Sequence, residues 1–278
     1  MPEGDTVWQA AQRLNAALAG QVLTKTDFRV PKFATADLAG RTVQEVVARG
    51  KHLLIRADGM TIHSHLKMEG QWQVYPRGDR WRRPAFQARA VLENAASTAV
   101  GFELGLLEII PTDDEEQTVG YLGPDLLGPD WDAAEAERRL AAAPDRALGV
   151  ALLDQRNLAG IGNVFCNELC FLVGVHPLSP VSAVPDLRRL VALSKQVLEF
   201  NRNRQRRSTA GSAGAARGRG SLVWVYGRDG KPCLRCGTTI RQAELGASDL
   251  ELRVTYFCPH CQPPPAPGAE GTGSYAGD

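Results

Sequence analysis

The pattern that most limits how this chain can fold is Cys233-Leu234-Arg235-Cys236 followed, 21 residues on, by Cys258-Pro259-His260-Cys261. Two C-x2-C knuckles bring four thiolates into one tetrahedral cluster, the closed geometry of structural zinc. A redox or disulfide use of the same cysteines is the alternative. Four sulfur ligands leave no open coordination position. The one zinc ion expected at Cys233, Cys236, Cys258 and Cys261 therefore holds structure and does no chemistry. The gap between knuckles is slightly longer than in most ribbons, which predicts a hairpin with a long tip. Arg253 falls near that tip, where it can touch a phosphate backbone or simply lie on a solvated strand. His260 is either a competing ligand or a solvated side chain. Cys166 and Cys170, one helical turn apart, read as buried small apolar residues.

A metal hairpin of this size needs a larger host. The chain has 278 residues, 44% hydrophobic and 23% charged, enough for two domains with proper cores. No apolar run reaches the length of a membrane span, and the N-terminus lacks the basic-then-apolar order of a secretory signal. A cytosolic protein is expected. Net charge is only +1, but residues 201–235 hold nine Arg or Lys and one acid, Asp229. Residues 111–146 hold ten acids and three arginines. This asymmetry either presents a basic face to a polyanion or marks two solvated loops.

Val7, Ala11, Leu14 and Leu18 follow the helical period, with Asp5 or Thr6 as the expected cap and Gly20 as the stop. Short strands follow: 43–55, a turn at 57–59, 61–66, then 71–75. Phe86, Ala88, Ala90 and Leu92 alternate before a turn at 94–98. Such spacing predicts an antiparallel sandwich. Arg77, Arg80, Arg82 and Arg83 crowd one loop within it. Helices are expected at 131–143, 148–155, 164–173 and 186–201. Between the second and third lies Gly160-Ile161-Gly162-Asn163, where two glycines permit a tight turn and a close approach of backbone N–H groups to an anion. The expected organisation is an α+β multidomain chain. Residues 1–112 form the sandwich, 113–128 an acidic linker, 129–222 a helical domain and 223–262 the metal hairpin. The Gly/Ala/Ser/Arg-rich stretch 208–220 is expected to be mobile, and the Pro/Gly-rich tail 263–278 disordered.

The N-terminus reads Met1-Pro2-Glu3-Gly4-Asp5-Thr6. Removal of Met1 leaves Pro2 as a free secondary amine, which titrates close to neutrality and is then nucleophilic. Such an amine attacks a sugar or carbonyl carbon to form a Schiff base, and Glu3 beside it can move protons. Pro2 as an ordinary second residue, with 3–6 merely opening a helix, is the plainer reading.

Six motifs in order resemble the family of formamidopyrimidine-DNA glycosylase and endonuclease VIII. They are Met1-Pro2-Glu3-Gly4, Gly50-Lys51-His52-Leu53-Leu54, and His65-Leu66-Lys67-Met68-Glu69-Gly70. Next come Asp154-Gln155 through Gly160-Ile161-Gly162-Asn163 to Asn167-Glu168, then Val225-Tyr226-Gly227-Arg228, and finally the four-cysteine ribbon ending at Gln262. The resemblance covers residues 1–262. It implies an N-terminal β-sandwich with flanking helices and a helix-two-turns-helix domain carrying the zinc ribbon. It also implies damaged DNA as the partner of a monomer that works in the cytoplasm on the nucleoid. Such enzymes extrude a damaged nucleotide because C1′ is unreachable inside the stack. By resemblance Pro2 attacks C1′ and Glu3 protonates the sugar. Lys51 joins the catalytic group as a phosphate ligand, Asn163 and Arg253 hold further phosphates, and Met68 wedges into the vacated stack. A strand-edge lysine, a turn-forming asparagine and a core methionine are the alternatives at Lys51, Asn163 and Met68. The implied activity is base excision by a bifunctional glycosylase and abasic-site lyase, cutting by β,δ-elimination. A lyase without glycosylase activity and a catalytically silent damaged-DNA binder are the other readings.

Two departures bear on the substrate. Thr6 stands where the family usually has glutamate, and it cannot ionise, so an acid–base task there passes to Asp5 or is lost. Gly101-Phe102-Glu103-Leu104-Gly105 stands where formamidopyrimidine-type enzymes carry an Arg-Arg-Phe loop. Glu103 cannot donate to the acceptors of an opposite cytosine. Thr6 favours the reading of a lyase without glycosylase activity, while the missing arginine loop, with Pro2-Glu3-Gly4 at the start, favours the endonuclease VIII side and oxidised pyrimidines.

Overall fold

Eight short strands build the first part of the chain, and the inner ones, such as His52–Ala57 and Met60–His65, are buried almost throughout. In the computed structural model, residues 2–210, 223–246, 252–266, 268, 270 and 271 are described. The chain divides into two units, Met1–Tyr121 and Leu122–Asp278.

The first unit opens with α1 (Gly4–Leu18), whose Val7, Ala11, Leu14 and Leu18 are all buried. Its N-cap is Glu3, not Asp5 or Thr6; the Glu3 carbonyl accepts from the N–H groups of Thr6 (2.9 Å) and Val7 (3.1 Å). Strands β1 (Lys25–Phe28), β6 (Ala88–Glu93), β7 (Ser97–Phe102) and β5 (Gln71–Pro76) form one antiparallel sheet, in that order. The second sheet runs β2 (Val43–Arg49), β3 (His52–Ala57), β4 (Met60–His65) and β8 (Leu106–Pro111). Val46, Leu53, Ile55 and Ile62 of this sheet share a core with Trp72, Ala90 and Leu92 of the first and with the buried face of α1. Each such side chain contributes about 1.5–3 kcal/mol of burial. The Trp72 indole N–H, carried into that core, donates to Ser64 Oγ at 3.0 Å, so this donor keeps a partner inside the sandwich.

One expected strand, 43–55, is in fact two. Gly50 takes φ +58°, and Gly50-Lys51 makes a two-residue hairpin between the paired residues Arg49 and His52. Glycine at the first turn position is what a type II′ hairpin needs. The acidic stretch 113–128 is also structured. It holds α2 (Glu115–Val119), where Glu115 is buried and takes the Arg56 guanidinium of β3 at 2.6–3.1 Å. Burial raises the Glu115 carboxyl pKa, but the Arg56 fork and the Thr61 hydroxyl more than offset it and hold it below the usual range.

The second unit contains α3 (Ala133–Ala141), α4 (Leu148–Leu153), α5 (Asn163–Val173), α6 (Leu187–Asn201) and a hairpin of β9 (Arg241–Leu245) with β10 (Arg253–Phe257). Asp132 and Asp186 cap α3 and α6 with their carboxylates. Helix α5 ends at Gly174 in the left-handed conformation, φ +74°. Its Phe165, Cys166, Leu169 and Cys170 are fully buried with Leu148, Leu152 and Leu245, as expected of the two cysteines. In the 208–220 stretch Ser208, Thr209 and Ala210 are buried; residues 211–220 lie outside the described residues, as does most of the 263–278 tail. Among the described residues no helix is long and apolar enough to cross a membrane.

Candidate active site and nucleic-acid interface

Four of the residues expected to do chemistry or hold DNA, Pro2, Glu3, Lys51 and Met68, lie just ahead of α1 and on sandwich turns of the first unit. Pro2 is half-buried and sits one residue ahead of the cap of α1, and Glu3 is completely buried. Beside them the Asp5 carboxylate is taken by its neighbour: it accepts from Thr6 N–H at 2.8 Å and from the Thr6 hydroxyl at 3.2 Å. Helix α1 is fixed to β2 by Asn15, whose Oδ1 accepts from Val46 N–H at 2.8 Å. The β2–β3 hairpin turn carries Lys51, which is only 6% exposed. It is therefore neither a strand-edge residue nor a freely solvated lysine.

Met68 is 60% exposed, which removes the core reading. Its loop is built to project it. Lys67 takes φ +50° and its N–H donates to His65 Nδ1 at 2.9 Å, while Gly70 N–H closes back on the Leu66 carbonyl at 2.9 Å. A Cβ at Gly70 would stand 2.4 Å from that carbonyl oxygen, so only glycine closes this turn. The turn from β7 to β8 is only Glu103-Leu104-Gly105, with Glu103 at φ +46° and ion-paired to Arg83. A three-residue connection has no length for a projecting arginine loop.

Sequence reasoning missed a chain of hydrogen bonds that begins at His52, next to Lys51, and is buried at its two histidines. Tyr121 Oη lies 3.1 Å from His52 Nε2, His52 Nδ1 lies 2.8 Å from His63 Nε2, and His63 Nδ1 lies 3.3 Å from Glu108 Oε2. A carboxylate only accepts, so His63 Nδ1–H donates to Glu108. Neutral His63 then accepts at Nε2 from His52 Nδ1–H, and His52 Nε2 accepts from the Tyr121 hydroxyl. Protonating His63 would set its new Nε2–H against His52 Nδ1–H unless His52 changed tautomer and turned Nε2–H to the Tyr121 oxygen. Burial pushes the His63 pKa below its ordinary value although Glu108 and Glu115 pull it up. The folded pKa is lowered, so the unfolded chain binds more protons as pH falls through the free-histidine value, and stability falls with it. The urea midpoint of the first unit is expected to drop between about pH 7.5 and pH 5.5, and His63→Gln to flatten that drop. Equal pH slopes for the two proteins would remove His63 from this role. The signal in sequence was three alternating-face histidines, His52, His63 and His65, on adjacent strands.

In the second unit the structure brings Asn163 and Arg253 onto one joint. Asn163 is the first residue of α5, and its Nδ2 donates to the Val254 carbonyl of β10 at 2.9 Å. One turn on, Asn167 donates to the Asn163 carbonyl at 2.6 Å and accepts from the Thr255 hydroxyl at 2.8 Å and from Tyr256 N–H. The glycine turn ahead of α5 is held by buried Gln155, which donates to the Leu153 (2.7 Å) and Ile161 (3.0 Å) carbonyls and accepts from Gly160 N–H (3.0 Å). These amides explain why the motif from Asp154 to Glu168 is spread over so many residues.

Glu168 is the second feature that sequence reasoning passed over. It is fully buried and accepts from the Thr209 hydroxyl and from the N–H groups of Trp224 (2.7 Å), Val225 (2.8 Å) and Tyr226 (2.9 Å). Burial raises its pKa, against the pull of these four donors. It thus ties Thr209 to 224–226, the described residues on either side of 211–222. An acid set in the apolar run from Val164 to Phe171 was the available sign.

The sulfur atoms of Cys233, Cys236, Cys258 and Cys261 all lie within 4.8 Å of one another. Two knuckle N–H groups point at them: Arg235 to Cys233 and Cys261 to Cys258, each at 3.4 Å. Four thiolates so gathered fit zinc, and His260 is not one of the group. The basic stretch 201–235 is partly structural. Arg228 is buried and donates to the Trp224 and Pro232 carbonyls, and Arg235 lies 4.2 Å from the Phe171 ring centre.

Known proteins share these domains and this fold. Residues 1–103 match the formamidopyrimidine-DNA glycosylase N-terminal domain, 122–204 its helix-two-turns-helix domain, and 230–264 the zinc finger found in that enzyme and in isoleucyl-tRNA synthetase. The chain is 57% identical over 275 residues to the "Probable endonuclease 8 2" of Streptomyces coelicolor, covering 98% of this chain and 97% of that one. It is 50% identical to the "DNA-(apurinic or apyrimidinic site) lyase Nei2" of Mycolicibacterium smegmatis, covering 94% and 99%. A solved Lactococcus lactis formamidopyrimidine-DNA glycosylase, described as a complex with DNA containing an oxidised pyrimidine, has the same fold. It superposes with a TM-score of 0.77 at 24% identity over 95% of this chain and all of that one. The chain belongs to the formamidopyrimidine-DNA glycosylase and endonuclease VIII family of base-excision glycosylase–lyases. Within it, relatives at 50–57% identity carry endonuclease 8 or abasic-site lyase names.

Proposed function

We propose that this chain is a bifunctional DNA glycosylase and abasic-site lyase that removes oxidised bases, pyrimidines above purines. The observation that carries the reading is the buried Glu3 carboxylate at the cap of α1 with Pro2 immediately ahead of it. After Met1 is removed, the Pro2 nitrogen bonds to C1′ as the glycosidic bond breaks, and the base leaves with the bonding pair and takes a proton. Glu3 protonates the ring oxygen, the C1′–O4′ bond opens, and an iminium links Pro2 to the sugar. Loss of a C2′ proton expels the 3′ phosphate and loss of a C4′ proton the 5′ phosphate, and water then frees Pro2. Lys51, Asn163 and Arg253 hold phosphates of the bent strand, Lys51 as a point charge and Arg253 as a planar fork. Exposed Met68 fills the space left by the extruded nucleotide. One zinc ion on the four cysteines fixes the hairpin that bears Arg253. The protein acts as a monomer on damaged DNA, at the nucleoid of the cytoplasm.

The pyrimidine preference is supported by the three-residue Glu103 turn, which offers no arginine to an opposite cytosine. A lyase acting only on pre-formed abasic sites is favoured by one observation. The Asp5 carboxylate is already held by Thr6, so it does not replace the missing glutamate.

Borohydride reduction on an abasic oligonucleotide, followed by peptide mass spectrometry, is expected to place the adduct on Pro2. On oligonucleotides with single oxidised bases, pyrimidine lesions should be cut faster than purine lesions. Adducts on abasic DNA without release of any oxidised base would establish the lyase reading. Tight binding with no adduct would leave a silent DNA-binding protein.

A further inference from the structure

The arginine loop on the sandwich is not used by any of the chemistry above. It joins β5 to β6 and carries Arg77, Arg80, Arg82 and Arg83 against one carboxylate of its own, Asp79, with Arg29 after β1 and Arg89 on β6 beside it. The loop is built rather than loose. The Arg29 guanidinium lies 5.5 Å from the Trp81 ring centre while its Nη1 donates to the Ala85 carbonyl at 2.9 Å. The Tyr75 hydroxyl accepts from Arg82 N–H at 3.2 Å, and Arg89 donates to the Phe86 carbonyl at 2.9 Å. Trp81 in turn stands edge-on to buried Phe102, with ring centres 5.9 Å apart.

What this frame holds out is cationic and aromatic. Residues 79–85 line a concavity of about 610 Å³. Arg77, Arg80 and Arg82 are exposed, and among the described residues no carboxylate lies within ion-pair distance of them. Phe86, next to the concavity, is 78% exposed, the most exposed large apolar side chain among the described residues. A groove that offers the unpaired guanidinium groups of Arg80 and Arg82 beside a bare aromatic face is the chemistry that takes an unpaired nucleic-acid strand, with phosphates on the arginines and a base on the ring. A fully paired duplex hides its base faces and has no use for Phe86.

The loop also adjoins the turn that carries Met68. Arg83 is ion-paired to Glu103, a Cβ on Gly105 would meet Lys67 Cγ at 2.2 Å, and one on Gly70 would meet the Glu103 carbonyl at 3.0 Å. The Met68 loop, the Glu103 turn and the arginine loop therefore form one continuous surface.

We infer that the loop around Arg80, Arg82 and Phe86 is a second nucleic-acid site that binds a single-stranded segment flanking the damaged position. The inference goes beyond the proposed activity and stands on the loop alone. Its test uses the whole protein and fluorescently labelled DNA: a short blunt duplex with one abasic site, and the same duplex with an unpaired thymidine overhang. The overhang is expected to tighten binding at least tenfold. Arg80→Glu with Arg82→Glu, and separately Phe86→Ala, should remove that gain and leave blunt-duplex affinity and borohydride trapping unchanged. The double variant should also flatten the overhang's salt dependence by about 0.7 per lost phosphate contact. Phe86→Ala removes only an exposed ring, so its fold is secure. No gain from the overhang in the native protein, or a gain that survives both changes, would overturn the inference. So would an equal loss on blunt duplex, which would make the loop an ordinary duplex contact. Failure of trapping would count against the Pro2 mechanism and leave the overhang result to judge the loop.

Discussion

Protein that keeps Met1, or carries one added residue ahead of Pro2, is expected to bind abasic DNA as well as the processed chain and to cut it on the order of 10³-fold more slowly or worse. The reason is electronic. A preceding residue turns the Pro2 nitrogen into a tertiary amide, whose lone pair is delocalised into the carbonyl and no longer attacks C1′. The effect on binding is small because the phosphate contacts assigned to Lys51, Asn163 and Arg253 do not involve the amine. Glu3→Gln is the companion change: it keeps the amine and the cap of α1 but removes the proton carrier. Burial makes that carboxyl hard to replace, since Glu3 is completely enclosed and water cannot easily take over its task. Single-turnover cleavage of an abasic duplex, with binding measured in parallel, checks both variants. Cleavage by the extended protein at the native rate would move the nucleophile to another amine. Loss of binding in step with cleavage would point to a disturbed α1 rather than to lost chemistry.

Much of this could be read in the residues, and the parts that could not have physical reasons. The helix from Gly4 to Leu18, the sandwich strands and the four-cysteine cluster follow from local periodicity and spacing, which sequence carries directly. The hairpin at Gly50-Lys51 was hidden because both halves of Val43 to Ile55 are rich in β-branched and aliphatic residues, and only the left-handed Gly50 reveals the turn. The acidic stretch after Pro111 looked solvated because charge alone was visible. That Glu115 is buried on Arg56, 59 residues earlier, is a tertiary fact. The same holds for the Tyr121–His52–His63–Glu108 chain, whose members are spread over 69 residues. Glu168 and Gln155 lay inside quoted motifs, yet their work is done by hydrogen bonds to backbone, which leave no pattern in side-chain types. Met68 went the other way: sequence left a core position open, and a loop held by Lys67 and Gly70 puts the side chain in solvent.

Removing zinc is expected to weaken DNA binding by at least about tenfold while the first unit keeps its fold, and Cys258→Ser should do the same without a chelator. Structural zinc sites contribute on the order of 10 kcal/mol to the folding of the segments they close, as much as the whole stability of a typical domain. Here that energy closes a short element: a two-strand hairpin of five residues per strand, whose own apolar contacts are few. Two-stranded hairpins are marginal by themselves. The consequence travels through the amide joint. Without the metal, β10 no longer presents the Val254 carbonyl to Asn163 or Thr255 and Tyr256 to Asn167, so Arg253 and the start of α5 lose their shared position. Asn167 would be left buried with its acceptor unsatisfied, a further cost of about 1–3 kcal/mol. Nothing in the sandwich depends on these bonds, since its core is drawn from residues 7–107 alone. Fluorescence of single-tryptophan variants separates the outcomes, because Trp72 reports the sandwich interior and Trp224 packs on Phe171 beside the ribbon. Chelation should change the Trp224 signal, leave that of Trp72, and reduce affinity for abasic duplex in proportion to metal lost. Full affinity after verified loss of metal would show that α5 holds its phosphate contacts without the ribbon. The role assigned to Arg253 would then be wrong.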